Sequence, residues 1–270
     1  MKNAYHRNYL RHCRRLIVKL GTGILTTDRG DLSPSRIRNL ALQVKTIVRK
    51  RAQVVLVSSG AIAGGMARLG LKTRPARIHD LQACAAIGQN LLMHHYETAF
   101  SRLGLVVGQV LLTHGDFQDD QRRENARHTL LRLLKLGVIP IINENDAVSY
   151  AEIKFGDNDQ LAAQVHKLVH ADATVLLSTV DGFYVREGRK KFLLKTVGSV
   201  SLSLMRHAGD TVSGRSVGGM KSKLLAARRV NAAGCPLIVA GGRVKDILPR
   251  LLKGEELGTI FLPRKKCRAP

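Results

Sequence analysis

Tryptophan is absent from the 270-residue chain, and all aromatics together make up 4% of it. A core must therefore be built from aliphatic side chains. The four cysteines, Cys13, Cys84, Cys235 and Cys267, lie far apart with no C-x-x-C pair, which argues against a disulfide framework and a zinc site. A reducing cytoplasm is the expected location. No uncharged run reaches the ~18 residues of a membrane span, and the opening residues are too polar for a secretory signal. Three signatures of nucleotide enzymes are missing as well: G-x-x-x-x-G-K-[ST], a helix-opening G-x-G-x-x-G and a kinase H-R-D loop.

Acidic residues are scarce too, 20 against 44 Lys and Arg, for a formal net charge of +24. A chain this basic can neutralise nucleic-acid phosphates. Its cations are nevertheless scattered, with denser patches at residues 7–15, 186–191 and 264–268 that carry no run of the aromatics that stack on bases. The charge reads as a solvated surface that also attracts anionic substrates, and specific nucleic-acid binding is not expected. Residues 1–15 read as a solvated basic extension and 264–270 as a basic tail. The length between them suits one large α/β domain or two small ones.

Strand and helix signals alternate along the chain. Strands are predicted over residues 16–22, 54–57, 105–112, 138–142, 174–177, 237–240 and 259–262. A helix opens with Ser33 as N-cap and Pro34 at its first position, and Ile37, Leu40, Val44, Ile47 and Val48 keep helical spacing. Further helices are predicted after Gly60, over 81–103 with a stop at Gly104, over 122–136, after Asp157 or Asn158 as cap, and over 244–252. A basic hairpin-like stretch follows the strand at 174–177. Strands separated by helices imply a largely parallel sheet with helices on both faces.

Polar clusters stand where such a sheet binds ligands. The strand at 138–142 runs into Asn143, Glu144, Asn145 and Asp146, and about ten residues on, Gly156, Asp157, Asn158 and Asp159 lead into a helix. Strand ends and helix starts of this kind form sites in open α/β sheets, although Asn and Asp also simply form turns. Two Gly-rich turns carry lysines: Lys19 beside Gly21 and Gly23, and Lys221 and Lys223 after Gly218 and Gly219. Backbone N–H nests with lysines suit phosphates. Asp146, Asp157 and Asp159 are able to hold Mg²⁺, orient lysines or bind an ammonium group. In the segment SSGAIAGG the small residues serve either an anion or close packing. Together these features point to phosphoryl transfer.

The segments VKLGT, VSSGAIAGG, GQVLLT, NARHTL, VIPIINENDAV, EIKFGDNDQLAA and GGMKSKLLAA occur in the order found in the glutamate 5-kinases, a branch of the amino acid kinase family. The resemblance runs from Leu16 to Leu262, so the kinase domain is placed at 16–263. It implies a three-layer α-β-α sandwich with a mainly parallel central sheet, and ATP-dependent, Mg²⁺-assisted phosphorylation of the γ-carboxylate of L-glutamate, the first step of proline biosynthesis. It further implies that Lys19 contacts phosphate, that Ser59, Asp146 and Asn158 contact glutamate, and that Asp159 organises the catalytic lysines. Ser178, Thr179, Val217, Gly218, Gly219, Met220, Lys221, Ser222 and Lys223 correspond to the nucleotide site, with Lys223 steadying the transferred phosphoryl group. A homo-oligomer is expected. Two positions depart from the family pattern, Thr179 in place of an acidic residue and Val217 in place of threonine. The C-terminal PUA module of many bacterial members has no counterpart in this sequence.

Overall fold

The computed structural model describes residues 7–148, 158–188, 190–208 and 219–263. The first half of the chain runs β1 (Arg15–Leu20), α1 (Thr22–Leu25), α2 (Pro34–Val48), β2 (Gln53–Ser58), α3 (Ala61–Arg68), α4 (Ile78–Ser101), β3 (Val107–Leu112), α5 (His114–Gln118), α6 (Asp120–Lys135) and β4 (Ile139–Glu144). The second half runs α7 (Asn158–Val169), β5 (Ala173–Ser178), the hairpin β6 (Phe183–Glu187) and β7 (Lys190–Leu194), β8 (Thr196–Val197), α8 (Leu202–Arg206), α9 (Met220–Ala232), β9 (Leu237–Gly241), α10 (Ile247–Leu252) and β10 (Thr259–Phe261). Eight strands form one sheet in the order β3-β4-β2-β1-β5-β9-β10-β8, and β6 and β7 pair separately. Every pairing in the large sheet is parallel except that of β9 with β10.

Strand periodicity divides the core in two. Leu16, Val18 and Leu20 of β1 face one side, where α2, α4 and α10 contribute Ile37, Val44, Leu92, Tyr96, Phe100 and Leu248. Ile17 faces the other side, against Leu130 of α6, Leu161 and Val165 of α7 and Leu224 of α9. Successive side chains of a strand alternate between faces, so Lys19 follows Ile17 onto the α7 side. This is the expected α-β-α sandwich, and its core is mainly aliphatic, with Tyr96, Phe100, Phe183 and Phe261 buried in it.

Several element ends differ from expectation for local reasons. The strand expected from Leu105 starts at Val107, because the Leu105 N–H caps α4 by donating to Phe100 O at 3.1 Å after Gly104 turns with φ of 70°. The helix expected over 244–252 starts at Ile247, since Asp246 at φ 53° breaks it. The freed Leu248 N–H is taken by the buried Gln43 side chain at 3.0 Å. Gly65 of SSGAIAGG serves packing: a Cβ on it would lie 1.9 Å from Cys84 O, and one on the facing Gly88 only 1.7 Å from Ala61 O. Helices α3 and α4 therefore touch backbone to backbone. Of the expected caps for α7, Asp157 lies outside the described residues and Asn158 is the first helical residue.

The N-terminal segment corrects one expectation outright. From Arg7 on it is anchored rather than solvated. The Arg7 side chain is 3% exposed and donates to the carbonyls of Glu255, Leu257, Lys195 and Gly258 at 3.0–3.3 Å. Leu10 is buried in the core beside it. Of the five donors of a guanidinium, those on Nη1 and Nη2 meet three carbonyls of the turn before β10 and that of Lys195, while Nε is buried without a partner among the described residues.

A buried histidine in α7 gives the fold a pH dependence. His166 is 1% exposed, and its Nδ1 pairs with Thr174 Oγ1 at 2.9 Å. Burial first, and the nearby His170 second, push its pKa down to about 4. In the unfolded chain it titrates near 6.5, so between those values the unfolded state binds the extra proton. Its contribution is thus fully present above about pH 6.5 and is lost as pH falls toward about 4, an effect of about 3 kcal/mol for this pKa difference. Urea midpoints measured at pH 7 and pH 4.5 should differ more for the wild type than for His166→Gln, and equal differences would refute this account.

Candidate active site

Strand β1 lies between β2 and β5, and the chain order reverses around it. Ligands of open α/β sheets bind at such a point, outside the carboxyl ends of the strands. Lys19, level with Val57 of β2 and Leu176 of β5, reaches Asp159 in the first turn of α7, with Nζ 2.7 Å from Oδ1. Lys223, in the first turn of α9, holds the other carboxylate oxygen at 2.8 Å. Asp159 is completely buried and both lysines are 6% exposed. Burial works to raise the Asp159 pKa, but the Lys19 and Lys223 charges and their hydrogen bonds prevail and hold it below the ordinary carboxylate value. Two ammonium groups thus share one carboxylate.

A second bond keeps the two helix starts in register. Gln160 Nε2 donates to Ser222 O at 2.7 Å and to Ser222 Oγ at 3.1 Å, so the turn carrying Lys223 is tied to the turn carrying Asp159. The first turns of α7 and α9 both sit at this cluster, and the positive end of a helix dipole favours an anion nearby.

Beside the lysines lies a network of amides. Asn158 Nδ2 donates to Ser58 O at 3.1 Å, Ser59 Oγ at 2.8 Å and Asn143 Oδ1 at 3.0 Å. Asn143, at the end of β4, donates to Gln89 Oε1 of α4 at 2.8 Å. Beneath them, Ser58 Oγ pairs with Tyr96 OH at 2.8 Å, and burial raises the Tyr96 pKa, so the phenol stays neutral. Asp146 stands half-buried in the turn after β4, which the Val148 N–H closes on Asn145 O at 3.1 Å.

The structure brings together Lys19, Ser59, Asn158, Asp159 and Lys223. The remaining expected residues lie around them. Ser178 ends β5, with its carbonyl accepting from Gly242 N–H at 2.9 Å. Thr179 is exposed and faces the glycine turn after β1, where a Cβ on Gly23 would lie 2.8 Å from Thr179 Cγ2. Gly219 is the N-cap of α9; Met220 and Ser222 are half-buried and Lys221 exposed in its first turn. Val217 and Gly218, like Gly156 and Asp157, lie outside the described residues. Gln89, Asn143, Gln160, Ser58 and Tyr96 were not expected. Asn143 carried a signal as part of the polar cluster after a strand, whereas Gln89 and Tyr96 sit within a helix that reads as core. Among the described residues, no three His, Cys, Asp or Glu side chains gather as a metal site, and no helix is long and apolar enough to cross a membrane.

Residues 14–241 match the amino acid kinase family. The chain belongs to this family. Its relatives include the glutamate 5-kinase of Symbiobacterium thermophilum, 47% identical over 257 residues that make up 94% of this chain and 98% of that protein. The glutamate 5-kinase of Moorella thermoacetica is 46% identical over 95% of this chain and 68% of its own length. Identity of this order over nearly the whole chain groups this amino acid kinase with the glutamate 5-kinases. The UMP kinase of Bacillus anthracis shares the fold, with a TM-score of 0.62 at 16% identity, over 94% of this chain and 97% of the other.

Proposed function

We propose that this amino acid kinase transfers the γ-phosphoryl group of ATP to the γ-carboxylate of L-glutamate, forming L-glutamyl 5-phosphate and ADP, the entry step of proline biosynthesis. The observation that carries the chemistry is the Lys19–Asp159–Lys223 cluster, with contacts of 2.7 and 2.8 Å. A carboxylate oxygen of the substrate attacks the γ-phosphorus, the bond from that phosphorus to the bridging oxygen breaks, and ADP takes the electron pair. Negative charge moves among the phosphates in that step, and fixed cations at the site stabilise it without reorganising. Lys19 and Lys223 are the cations, and Asp159 prevents their mutual repulsion from driving them apart. The acceptor identity rests on the relatives named glutamate 5-kinase.

Ser59, Asp146 and Asn158 bind glutamate in this reading, Asp146 supplying the counter-charge for its ammonium group. Ser178, Thr179, Val217, Gly218, Gly219 and the first turn of α9 through Lys223 hold the nucleotide. Mg²⁺ demands octahedral oxygen ligands and keeps several waters, so it usually binds through substrate phosphates with one or two carboxylates. The described residues offer no cage of carboxylates, and both Asp159 oxygens face lysines. A bound Mg²⁺ would be held chiefly by the ATP phosphates and would supply charge neutralisation there.

Purified protein with Mg-ATP should release ADP on addition of L-glutamate, and hydroxylamine should trap the acyl phosphate as the hydroxamate. Folded protein that gives neither at millimolar glutamate would overturn the proposal. A larger turnover with another carboxylate, carbamate or phosphate acceptor in a substrate panel would move the activity to a sister kinase.

A further inference from the structure

Three side-chain amides, Gln89, Asn143 and Asn158, form a chain whose polarity is fixed by backbone groups. The Glu144 N–H can only donate, and it meets Asn143 Oδ1 at 2.9 Å. The Ser58 carbonyl can only accept, and it takes Asn158 Nδ2 at 3.1 Å. Amide orientation is set by such partners. With Asn143 oriented this way, its Nδ2 must face an oxygen of Gln89, which it does at 2.8 Å, and its Oδ1 must face a nitrogen of Asn158, which it does at 3.0 Å. The two ends of the chain then carry opposite character. Among the described residues, Gln89 Nε2 is a buried donor and Asn158 Oδ1 a buried acceptor, each without a hydrogen-bond partner.

Buried polar groups are nearly always paired, and an unpaired one in a native protein calls for a ligand, a water or a cost in stability. An α-amino acid head offers the complementary pair, since its carboxylate only accepts and its ammonium only donates. We propose that Gln89 is a substrate-specificity residue of this site, donating from Nε2 to the α-carboxylate of the acceptor, while Asn158 Oδ1 accepts from its ammonium group. This rests on the reading of the acceptor as L-glutamate. The γ-carboxylate must face the lysines and the phosphoryl donor, which leaves the α-carboxylate for Gln89. Helix α4 holds Gln89 rigidly in place. Gly88, the residue before it, sits where a Cβ would be 2.4 Å from Gly65 N of α3, and Tyr96, two turns on, is bonded to Ser58.

Gln89→Glu tests this directly. It keeps an oxygen for Asn143 Nδ2 and exchanges only the donor nitrogen for a second acceptor, which repels a carboxylate. The KM for L-glutamate should rise about tenfold or more, the loss of a hydrogen bond to a charged group, while the KM for ATP stays at the wild-type value. Gln89→Met, similar in length and uncharged, should show the same split. An unchanged glutamate KM in both variants would mean that a water satisfies Nε2, and would overturn the proposal; so would a parallel rise in both KM values, which marks a merely structural role. Absence of glutamate-dependent ADP release in the wild type would instead remove the underlying reading of the acceptor.

Discussion

Lys223→Met should lower kcat by about two orders of magnitude or more and leave the KM for glutamate nearly unchanged. Position is the reason. Lys223 lies in the first turn of α9, 6% exposed, with its Nζ held 2.8 Å from Asp159. Its ammonium is thus fixed before any substrate arrives, and it acts on charge that develops only as the phosphoryl group moves. An interaction made mainly in the transition state appears in kcat, whereas one made equally in the bound substrate appears in KM. Methionine keeps an unbranched stem of similar length, so packing against the neighbouring helix survives. Asp159 retains Lys19 as a partner in the variant, so the melting temperature should fall only modestly. Steady-state rates with glutamate varied at saturating ATP provide the check. Full kcat in a well-folded variant would remove Lys223 from the catalytic role, and a large rise in glutamate KM with kcat intact would reassign it to substrate binding.

The sequence made some of this visible and hid the rest for physical reasons. The β1 strand was legible because an apolar run broken by Lys19 and a glycine turn has few alternatives, and the break marks the end where the site lies. The face on which Lys19 sits follows from the two-residue strand period, given Ile17 in the core. Asp159 stood out as an acid at a helix start. Its union with Lys223 did not, since 64 residues separate them and only the packing of α7 on α9 joins them. That pairing entered through resemblance to a family, not through spacing. Gln89 was invisible for a different reason: an amide within a helix that reads as core has no local signature, and its role depends on Asn143, which comes from strand β4. Arg7 misled because a basic terminal segment ordinarily prefers water, and the four carbonyls that bury it come from turns near the opposite end of the chain and from Lys195.

Asp159→Asn should damage both catalysis and stability. The carboxylate is fully buried, with one lysine on each oxygen. Asparagine preserves its size but presents one acceptor and one donor, so at most one lysine keeps a good bond and the other faces an N–H. Two nearly buried ammonium groups then lose the carboxylate that they share. Removing one partner of a buried ionic cluster costs roughly 3–5 kcal/mol, chiefly from the uncompensated charge left behind, which in a domain of this size lowers Tm by about 10 °C. Because the folded-state pKa of Asp159 is held below that of the unfolded chain, the wild-type contribution is fully present at neutral pH and is lost only as the solution is acidified through the folded-state value. The lysines, no longer aligned, should cost about 10²- to 10³-fold in kcat. The decisive readout couples the two effects. A polyanionic ligand replaces the missing counter-charge, so ATP should raise the Tm of Asp159→Asn by more than it raises the Tm of the wild type. A variant that melts like the wild type, gains no extra protection from ATP and retains its kcat would show that the carboxylate neither holds the lysines nor serves the reaction.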